Sequence, residues 1–249
     1  MTVAVATLGA VGLDAVIFDW GGTLTPWKTA DGRSWWRIAA RLAEAGVIPA
    51  DAVESTGAAL AAAENELWRR AREEHTSGTM AEIFAAAGLT ESDLTEALHA
   101  SEWEWATFLD PDAPAVLTGL RERGLRVGVL SNTAWPRLRH EQIFVRDRVD
   151  HLIDGAVYTC EIPWTKPHPE AFRAAMAAIG VDDPSRCVYV GDRLFDDIYG
   201  ARQVGMRAVF LPHSTIPDVQ RGHTDGEPDA VIQRLADLLD VVDAWHRVG

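Results

Sequence analysis

Apolar and polar residues follow two different patterns along this chain, and each pattern predicts a different kind of structure. Residues 14–20 form a short apolar run of strand-favouring side chains, which is typical of a buried strand. Residues 26–108 carry apolar side chains at spacings of three and four and show no strand signal, so they predict helices. After Asp110, strand and helix patterns alternate. This alternation predicts a parallel sheet whose strands are joined by crossover helices.

The individual elements are short and bounded by glycine, proline or polar residues. The helices of the first region are predicted at 34–46, 50–74, 80–87 and 91–108, the last with Ser92 or Thr90 as N-cap. The later strands are predicted at 125–130, 155–159, 187–190, 208–211 and near Ala230. The later helices are predicted at 113–123, 136–144, 169–179, 196–204 and 232–245, with a long polar loop at 212–228.

Composition narrows the class of protein. The chain has 249 residues, 47% of them apolar, which is enough for a packed core in one large domain or in two unequal ones. Its net charge of −14 argues against nucleic-acid or anionic-membrane partners. We find no apolar run long enough to span a membrane and no basic leader, so a soluble cytoplasmic protein is expected. Cys160 and Cys187 have no metal-ligand spacing and are expected to be buried thiols.

The first strand leads directly into a candidate site. Asp19 places a carboxylate at the carboxyl end of the strand, where ligands bind in open α/β sheets. Gly21 and Gly22 then allow a sharp turn and a close approach of the backbone to a ligand. Taken alone, Asp19 could equally be a turn residue.

Three further segments support a site, and together with the first they resemble the haloacid dehalogenase superfamily of hydrolases. The family's motifs are matched in order by Asp19-Trp20-Gly21-Gly22-Thr23, Val129-Leu130-Ser131-Asn132-Thr133, Lys166-Pro167-His168-Pro169 and Gly191-Asp192-Arg193-Leu194-Phe195-Asp196-Asp197. Each motif alone is weak, but their order and spacing fit over nearly the whole chain. Most members of this family are Mg²⁺-dependent phosphatases.

The resemblance implies a fold and a division into domains. The expected fold is α/β, with a Rossmann-like parallel sheet core and an inserted all-helical cap. Residues 1–25 and 109–249 would form the core, and residues 26–108 the cap. A cap of this kind excludes water and selects the substrate.

The resemblance also assigns roles to residues. Asp19 would be the nucleophile that forms an aspartyl-phosphate, with Ser131 and Lys166 as further catalytic residues. The substrate-binding residues would be Ser131, Asn132, Gly22, Thr23 and Lys166. Lys166 is one of only two lysines in the chain, the other being Lys28.

A divalent cation is expected beside the nucleophile. Asp19 and Asp192 would converge at adjacent strand ends, and two such carboxylates repel each other unless a cation lies between them. By resemblance the cation is Mg²⁺, and its ligands would be Asp19, the backbone carbonyl of Gly21, Asp192 and Asp197. Asp197, with Asp196, would also orient metal-bound water or Lys166 from a second layer.

The chain departs from the family at one position. The family's second aspartate of the first motif, its general acid and base, is Gly21 here. A substrate with a good leaving group, a cap carboxylate such as Glu73 or Glu74, or a slowly hydrolysed aspartyl-phosphate would each be compatible with this change. The chain could also be an impaired family member that binds or regulates.

Two other chemistries of the superfamily stay open. Haloacid dehalogenases also lack that aspartate and use no metal, whereas phosphonate-cleaving members form a Schiff base with a cap lysine, for which only Lys28 is available. We rank both below a phosphatase that acts on a small phosphorylated substrate as a monomer or homodimer.

The cap contains two further features with two interpretations each. Its tryptophans are expected to pack in the cap core rather than to line a substrate pocket: Trp27, Trp35, Trp36, Trp68, Trp103 and Trp105. The charged run at 69–75 is interpreted as a solvated helix face rather than as part of the site.

Overall fold

A single parallel sheet organises the molecule. The computed structural model describes residues 12–26, 32–212 and 225–246. The sheet has six strands in the order β3-β2-β1-β4-β5-β6. The strands are β1 (Ala15–Phe18), β2 (Arg126–Ser131), β3 (Gly155–Tyr158), β4 (Cys187–Gly191), β5 (Arg207–Phe210) and β6 (Ala230–Val231). The predicted α/β fold class is therefore confirmed.

The first strand lies in the middle of the sheet, which explains its continuous apolar sequence. Phe18 pairs with Val129 of β2 on one side and with Val190 of β4 on the other. All four residues of β1 are buried because both faces of the sheet are covered. Val16 and Phe18 face one hydrophobic core and their neighbours face the other.

Helices cover the two faces of the sheet. They are α5 (Ala113–Glu122), α6 (Arg137–Arg146), α7 (Pro169–Ala178), α8 (Gly200–Val204) and α9 (Leu238–His246). One core packs beneath α5 and α9, and the other beneath α7 and α8. The predicted helix at 196–204 is a π-helical turn, Leu194–Tyr199, followed by α8. The last helix begins six residues later than predicted, after a short 3₁₀ turn at Leu235–Asp237.

Four helices lie between β1 and α5 and share a hydrophobic core of their own. They are α1 (Ser34–Glu44), α2 (Val53–Glu73), α3 (Met80–Ala86) and α4 (Asp93–Trp103). Ser92 is the N-cap of α4 and forms a capping box with Thr95. Of the two residues predicted as the N-cap, Ser92 is therefore the one that the structure confirms. No strand occurs in residues 32–108, which agrees with a helical cap, whereas the exact domain boundaries stay predictions.

The described tryptophans of this helical region mainly pack. Trp35 is buried in its core, and Trp36 and Trp68 pack against it. Trp103 lies 6.0 Å from Trp135, measured between ring centroids, whereas Trp105 is 54% exposed. Trp27 and Lys28 lie outside the described residues, as do the N-terminal 11 residues and most of the predicted loop at 212–228.

The helical region is joined to the sheet domain at two loops. Met80 N donates to Ala134 O at 3.1 Å, and Ala134 itself lies in the helical region's core. At the second loop, Thr165 N donates to His75 O at 2.9 Å and Ser77 N donates to Pro163 O at 3.1 Å. The cap is therefore hydrogen-bonded to the residues directly before Lys166.

Two of the expectations drawn from composition concern burial and membranes. Cys187 is buried and Cys160 is partly buried, and neither is in a disulfide. Within the described ranges, no helix combines the length and the apolar character needed to cross a membrane. A cytoplasmic location and a monomeric or homodimeric state stay predictions.

The close packing of β3 on α7 predicts a sensitive position. A Cβ on Gly155 would collide with the backbone carbonyl oxygen of Ala178, which a side-chain movement cannot relieve. We expect Gly155→Ala to lower the free energy of unfolding by about 1–3 kcal/mol, the usual cost of overpacking. Urea unfolding followed by circular dichroism measures this change.

Gly12→Ala is the matched control. The nearest atom to a Cβ there is Arg186 Nη2 at 3.9 Å, an ordinary contact distance. Its stability should stay within about 0.5 kcal/mol of the parent protein. Equal stability of the two variants would contradict the packing argument.

Candidate active site

Four of the predicted site segments meet at one edge of the sheet. Asp19 follows β1, Ser131 ends β2, Asp192 follows β4, and Lys166 lies in the connection that leads from β3 to α7. Because all six strands are parallel, these positions share the carboxyl edge. The order of strands reverses direction beside β1, and such a switch point opens a crevice for ligands.

Lys166 is the centre of the polar cluster. Its Nζ lies 2.6 Å from Asp19 Oδ1 and 2.6 Å from Asp197 Oδ1, and the lysine is 3% exposed. The Nζ also donates to the Tyr189 hydroxyl at 3.0 Å. All three hydrogens of the ammonium group therefore have acceptors, as a buried charge requires.

The charges in this cluster depend on one another. Burial lowers the pKa of Lys166, but the carboxylates of Asp19 and Asp197 outweigh burial and hold its pKa above the ordinary value. Lys166 therefore stays protonated. Burial raises the pKa of Asp19, and the charge of Lys166 opposes that rise.

Asn132 holds the lysine by its backbone. Its Oδ1 accepts from Lys166 N at 2.8 Å, and its Nδ2 donates to Lys166 O at 3.2 Å. The carboxamide thus ties the end of β2 to the lysine loop. This contact explains an asparagine at position 132, and its predicted role in substrate binding stays a prediction.

Asp192 is the least satisfied group of the site. Both carboxylate oxygens are buried, and neither has a hydrogen-bond partner among the described residues. Burial, followed by the nearby charges of Asp19 and Asp197, raises its pKa well above the ordinary value. A buried carboxylate without donors is expected where a cation binds.

The turn after β1 is shaped to fit this carboxylate. Gly22 has φ of 92°, a left-handed conformation that favours glycine. A Cβ on Gly22 would overlap the side chain of Asp192. Both the backbone conformation and the lack of space for a Cβ therefore favour glycine at position 22. Next to it, the Thr23 hydroxyl is buried and has no partner among the described residues.

The donor set fits a divalent cation with oxygen ligands. Carboxylate oxygens of Asp19, Asp192 and Asp197 lie within 4.8 Å of one another. The two oxygens of Asp197 are already used, one by Lys166 and the other by the backbone N of Arg193 at 2.9 Å. These hydrogen bonds favour Asp19 and Asp192 as the carboxylate ligands, with Asp197 in a supporting position.

Two residues of the site were not among the predicted site residues: Tyr189, which lies outside the motifs, and Arg193, which lies inside the fourth motif but was given no role. Tyr189 packs in the core beneath Lys166, and its hydroxyl lies 3.3 Å from Asp197 Oδ1. A tyrosine inside a buried strand carries a hydroxyl that needs a partner, and this is the only feature of the sequence that points to Tyr189. Arg193 lies beside Asp196, and the neighbouring carboxylates raise its pKa although burial opposes them. Arg193 therefore adds a second fixed positive charge to the site.

Gly21 occupies the position of the missing acid, and the two cap carboxylates considered as substitutes for it are exposed to solvent. The side chains of Glu73 and Glu74 are 62% and 50% exposed. Both are paired with Arg69 at 2.7 and 2.9 Å, on the outer surface of α2. This part of the charged run is the solvated face that the sequence indicates.

Sequence comparisons point to one family. A family model described as haloacid dehalogenase-like hydrolase matches residues 13–205. The chain is 36% identical over 132 residues to a glyceraldehyde 3-phosphate phosphatase of Methanopyrus kandleri, covering 53% of this chain and 55% of that protein. It is 34% identical over 133 residues to a phosphoserine phosphatase of Thermus thermophilus, covering 53% and 49%. The chain thus spans about half the length of the curated relatives it matches.

Structural comparisons cover nearly the whole chain. A HAD phosphatase from Thermococcus onnurineus superposes with a TM-score of 0.64 at 22% identity, covering 92% of this chain and 98% of that one. An L-2-haloacid dehalogenase from Xanthobacter autotrophicus superposes with a TM-score of 0.59 at 19% identity, covering 93% and 98%. At these identities the likeness concerns the fold alone.

The raised pKa of Asp192 predicts a pH-dependent loss of stability in metal-free protein. Because the folded-state pKa exceeds the ordinary 3.8, the native state holds a proton that the unfolded state releases. This stabilising contribution is complete at low pH and is lost as the pH rises. The side chain of Asn in the variant Asp192→Asn cannot ionise, so the stability of the variant should not show this loss.

We therefore compare urea unfolding of the two proteins in chelator. The stability of Asp192→Asn relative to the parent should rise between about pH 4 and pH 8, because only the parent loses the contribution of the bound proton. Added Mg²⁺ should then stabilise the parent but not the variant. Parallel pH profiles would contradict the assignment of Asp192 as a buried, unpartnered carboxylate.

Proposed function

The chain belongs to the haloacid dehalogenase-like hydrolases, and from this premise we propose that it hydrolyses a small phosphorylated metabolite through Asp19. The observation that carries the proposal is the buried ion pair between Lys166 and Asp19 at the switch point of the sheet. A protonated lysine fixed against a carboxylate favours the ionised, nucleophilic form and opposes the effect of burial on it. The same lysine offers positive charge to an incoming phosphoryl group.

The proposed reaction has two displacements. An oxygen of Asp19 attacks phosphorus, and the bond between phosphorus and the substrate's alcohol oxygen breaks. Water then attacks the phosphorus of the aspartyl-phosphate, which releases inorganic phosphate and restores Asp19. Lys166 and Ser131 lie at the same edge of the sheet as Asp19 and would bind the phosphoryl oxygens.

Mg²⁺ is the proposed cofactor. The unpartnered oxygens of Asp192 beside Asp19 fit a small cation that prefers oxygen ligands. Asp19, Asp192 and the carbonyl of Gly21 would hold it, with Asp197 behind them. When bound, such an ion neutralises the phosphoryl charge. It would also offset the repulsion between Asp19 and Asp192.

The substrate class follows from the relatives and from the cap. Two of the curated relatives are named for glyceraldehyde 3-phosphate and phosphoserine, both small phosphate monoesters. The cap residues His75, Ser77 and Met80 are hydrogen-bonded to the loops that follow β2 and β3 at the carboxyl edge of the sheet, and a cap in this position would limit the size of the substrate. We therefore place the substrate among small phosphate esters of this kind.

Gly21 favours one alternative function, that of a family member which binds a phosphorylated ligand without turnover. General acid-base catalysis typically contributes about 10²–10⁴-fold, so its loss could leave only binding. A dehalogenase is disfavoured by the buried, unpartnered Asp192 carboxylate, because that reaction would use no cation. A Schiff-base mechanism through Lys28 has no support within the described residues.

The central prediction concerns the nucleophile. We expect Mg²⁺-dependent phosphate release from a panel of small phosphate esters, and Asp19→Asn should lower it by at least about 10³-fold. Asp182→Asn is the matched control, because it makes the same chemical change at a position that is exposed to solvent. Its activity should equal that of the parent.

Three other results would point elsewhere. Activity that survives Asp19→Asn would exclude Asp19 as the nucleophile. Halide release from 2-haloacids in chelator would indicate a dehalogenase. No turnover by the parent, together with phosphate release by Gly21→Asp, would indicate a binding protein that lacks only the acid.

A further inference from the structure

The proposed phosphatase reaction needs a group that moves protons, and the first motif lacks one. An alcohol leaves as its alkoxide unless an acid protonates it, and the water of the second step must lose a proton. Gly21 has no side chain to do either. Glu73 and Glu74 face solvent beside Arg69. The neighbouring residue, His75, behaves differently.

The backbone places His75 beside the lysine loop. His75 O accepts from Thr165 N at 2.9 Å, one residue before Lys166. Thr76 forms an antiparallel bridge with Trp164, and Ser77 N donates to Pro163 O. These contacts fix residues 75–77 of the cap against the loop that carries Lys166.

The conformation of His75 turns the chain out of α2. Its φ is 53°, in the left-handed region that non-glycine residues seldom adopt. The turn separates His75 from the solvated residues before it, so that its carbonyl can reach the lysine loop. Strained residues of this kind concentrate at functional sites.

The side chain of His75 has a buried nitrogen whose hydrogen-bonding capacity is not satisfied. Its Nδ1 is buried and has no hydrogen-bond partner among the described residues. Its ring lies 6.2 Å from the ring of Phe195, measured between centroids. Phe195 belongs to the turn between Asp192 and Asp197, so the imidazole lies beside the aspartate turn while the backbone of His75 is bonded to the lysine loop.

We infer that His75 is the general acid and base of the reaction, in place of the aspartate that Gly21 lacks. This role rests on the proposed phosphatase function. Imidazole is the side chain most often used for such proton transfers. In the first step the protonated ring gives its proton to the leaving alcohol oxygen as the bond to phosphorus breaks. In the second step the neutral ring takes a proton from water as that water attacks the aspartyl-phosphate.

The test uses two leaving groups and one variant. An alkyl phosphate needs protonation of its leaving oxygen, whereas p-nitrophenyl phosphate does not. Asn is chosen because it also tolerates the left-handed conformation of residue 75 but cannot exchange a proton. Release of the leaving group is measured in single turnover with Mg²⁺ and excess enzyme, which isolates the first step.

We expect His75→Asn to lower the rate for glyceraldehyde 3-phosphate by about 10²–10⁴-fold and the rate for p-nitrophenyl phosphate by less than about tenfold. The p-nitrophenyl rate also reports whether the variant is folded. His168→Asn is the matched control, because His168 stacks on Trp164 and caps α7 in the same loop. It should leave both rates near those of the parent.

The outcomes separate this role from the phosphatase assignment. An equal loss for both substrates would show a structural role and overturn the inference, as would no loss for either. A parent protein that releases neither leaving group would overturn the phosphatase assignment and this role with it. A selective loss for the alkyl phosphate, with His168→Asn unaffected, supports His75.

Discussion

The burial of charge at the centre of the sheet is the constraint on which the site depends. Three carboxylates and one ammonium group lie within a few ångströms of each other, in a region where isolated charges are costly. Lys166 satisfies Asp19 and Asp197 but does not reach Asp192. Asp192 is therefore left without a hydrogen-bond partner among the described residues, at a strand end that both flanking cores hold in place. A cation is the partner that this unpartnered carboxylate would accept, which is the basis of the Mg²⁺ proposal.

The sheet and the helical region could be predicted from sequence because their signals are local. A buried central strand such as β1 must be apolar along its whole length, and the cap helices repeat their apolar positions at helical spacing. Where prediction and structure differ, as at 194–204, the backbone N–H groups of Asp197 and Ile198 both donate to Arg193 O and start a π-helical turn. That turn brings Asp197 under Lys166, and no periodicity in the sequence indicates it.

The residues of the site were partly predictable. Motif residues lie at strand ends, so Asp19, Lys166 and Asp192 could be expected together. Tyr189 could not, because its contact with Lys166 depends on which face of β4 it occupies. His75 lies at the end of a charged run that is solvated up to Glu74. Its different environment results from a left-handed turn and a ladder with residues almost 90 positions away, which sequence spacing does not encode.

The hydrogen bonds between residues 75–77 and 163–165 also have a mechanical consequence. The two segments joined by these bonds belong to the cap and to the loop that carries Lys166, so neither can move independently while their hydrogen bonds persist. A cap that lifts to exchange ligands must break these bonds or pull the lysine away from Asp19. In the second case, an open site is also an electrostatically incomplete one, and exchange of ligand with solvent would be coupled to assembly of the charged cluster.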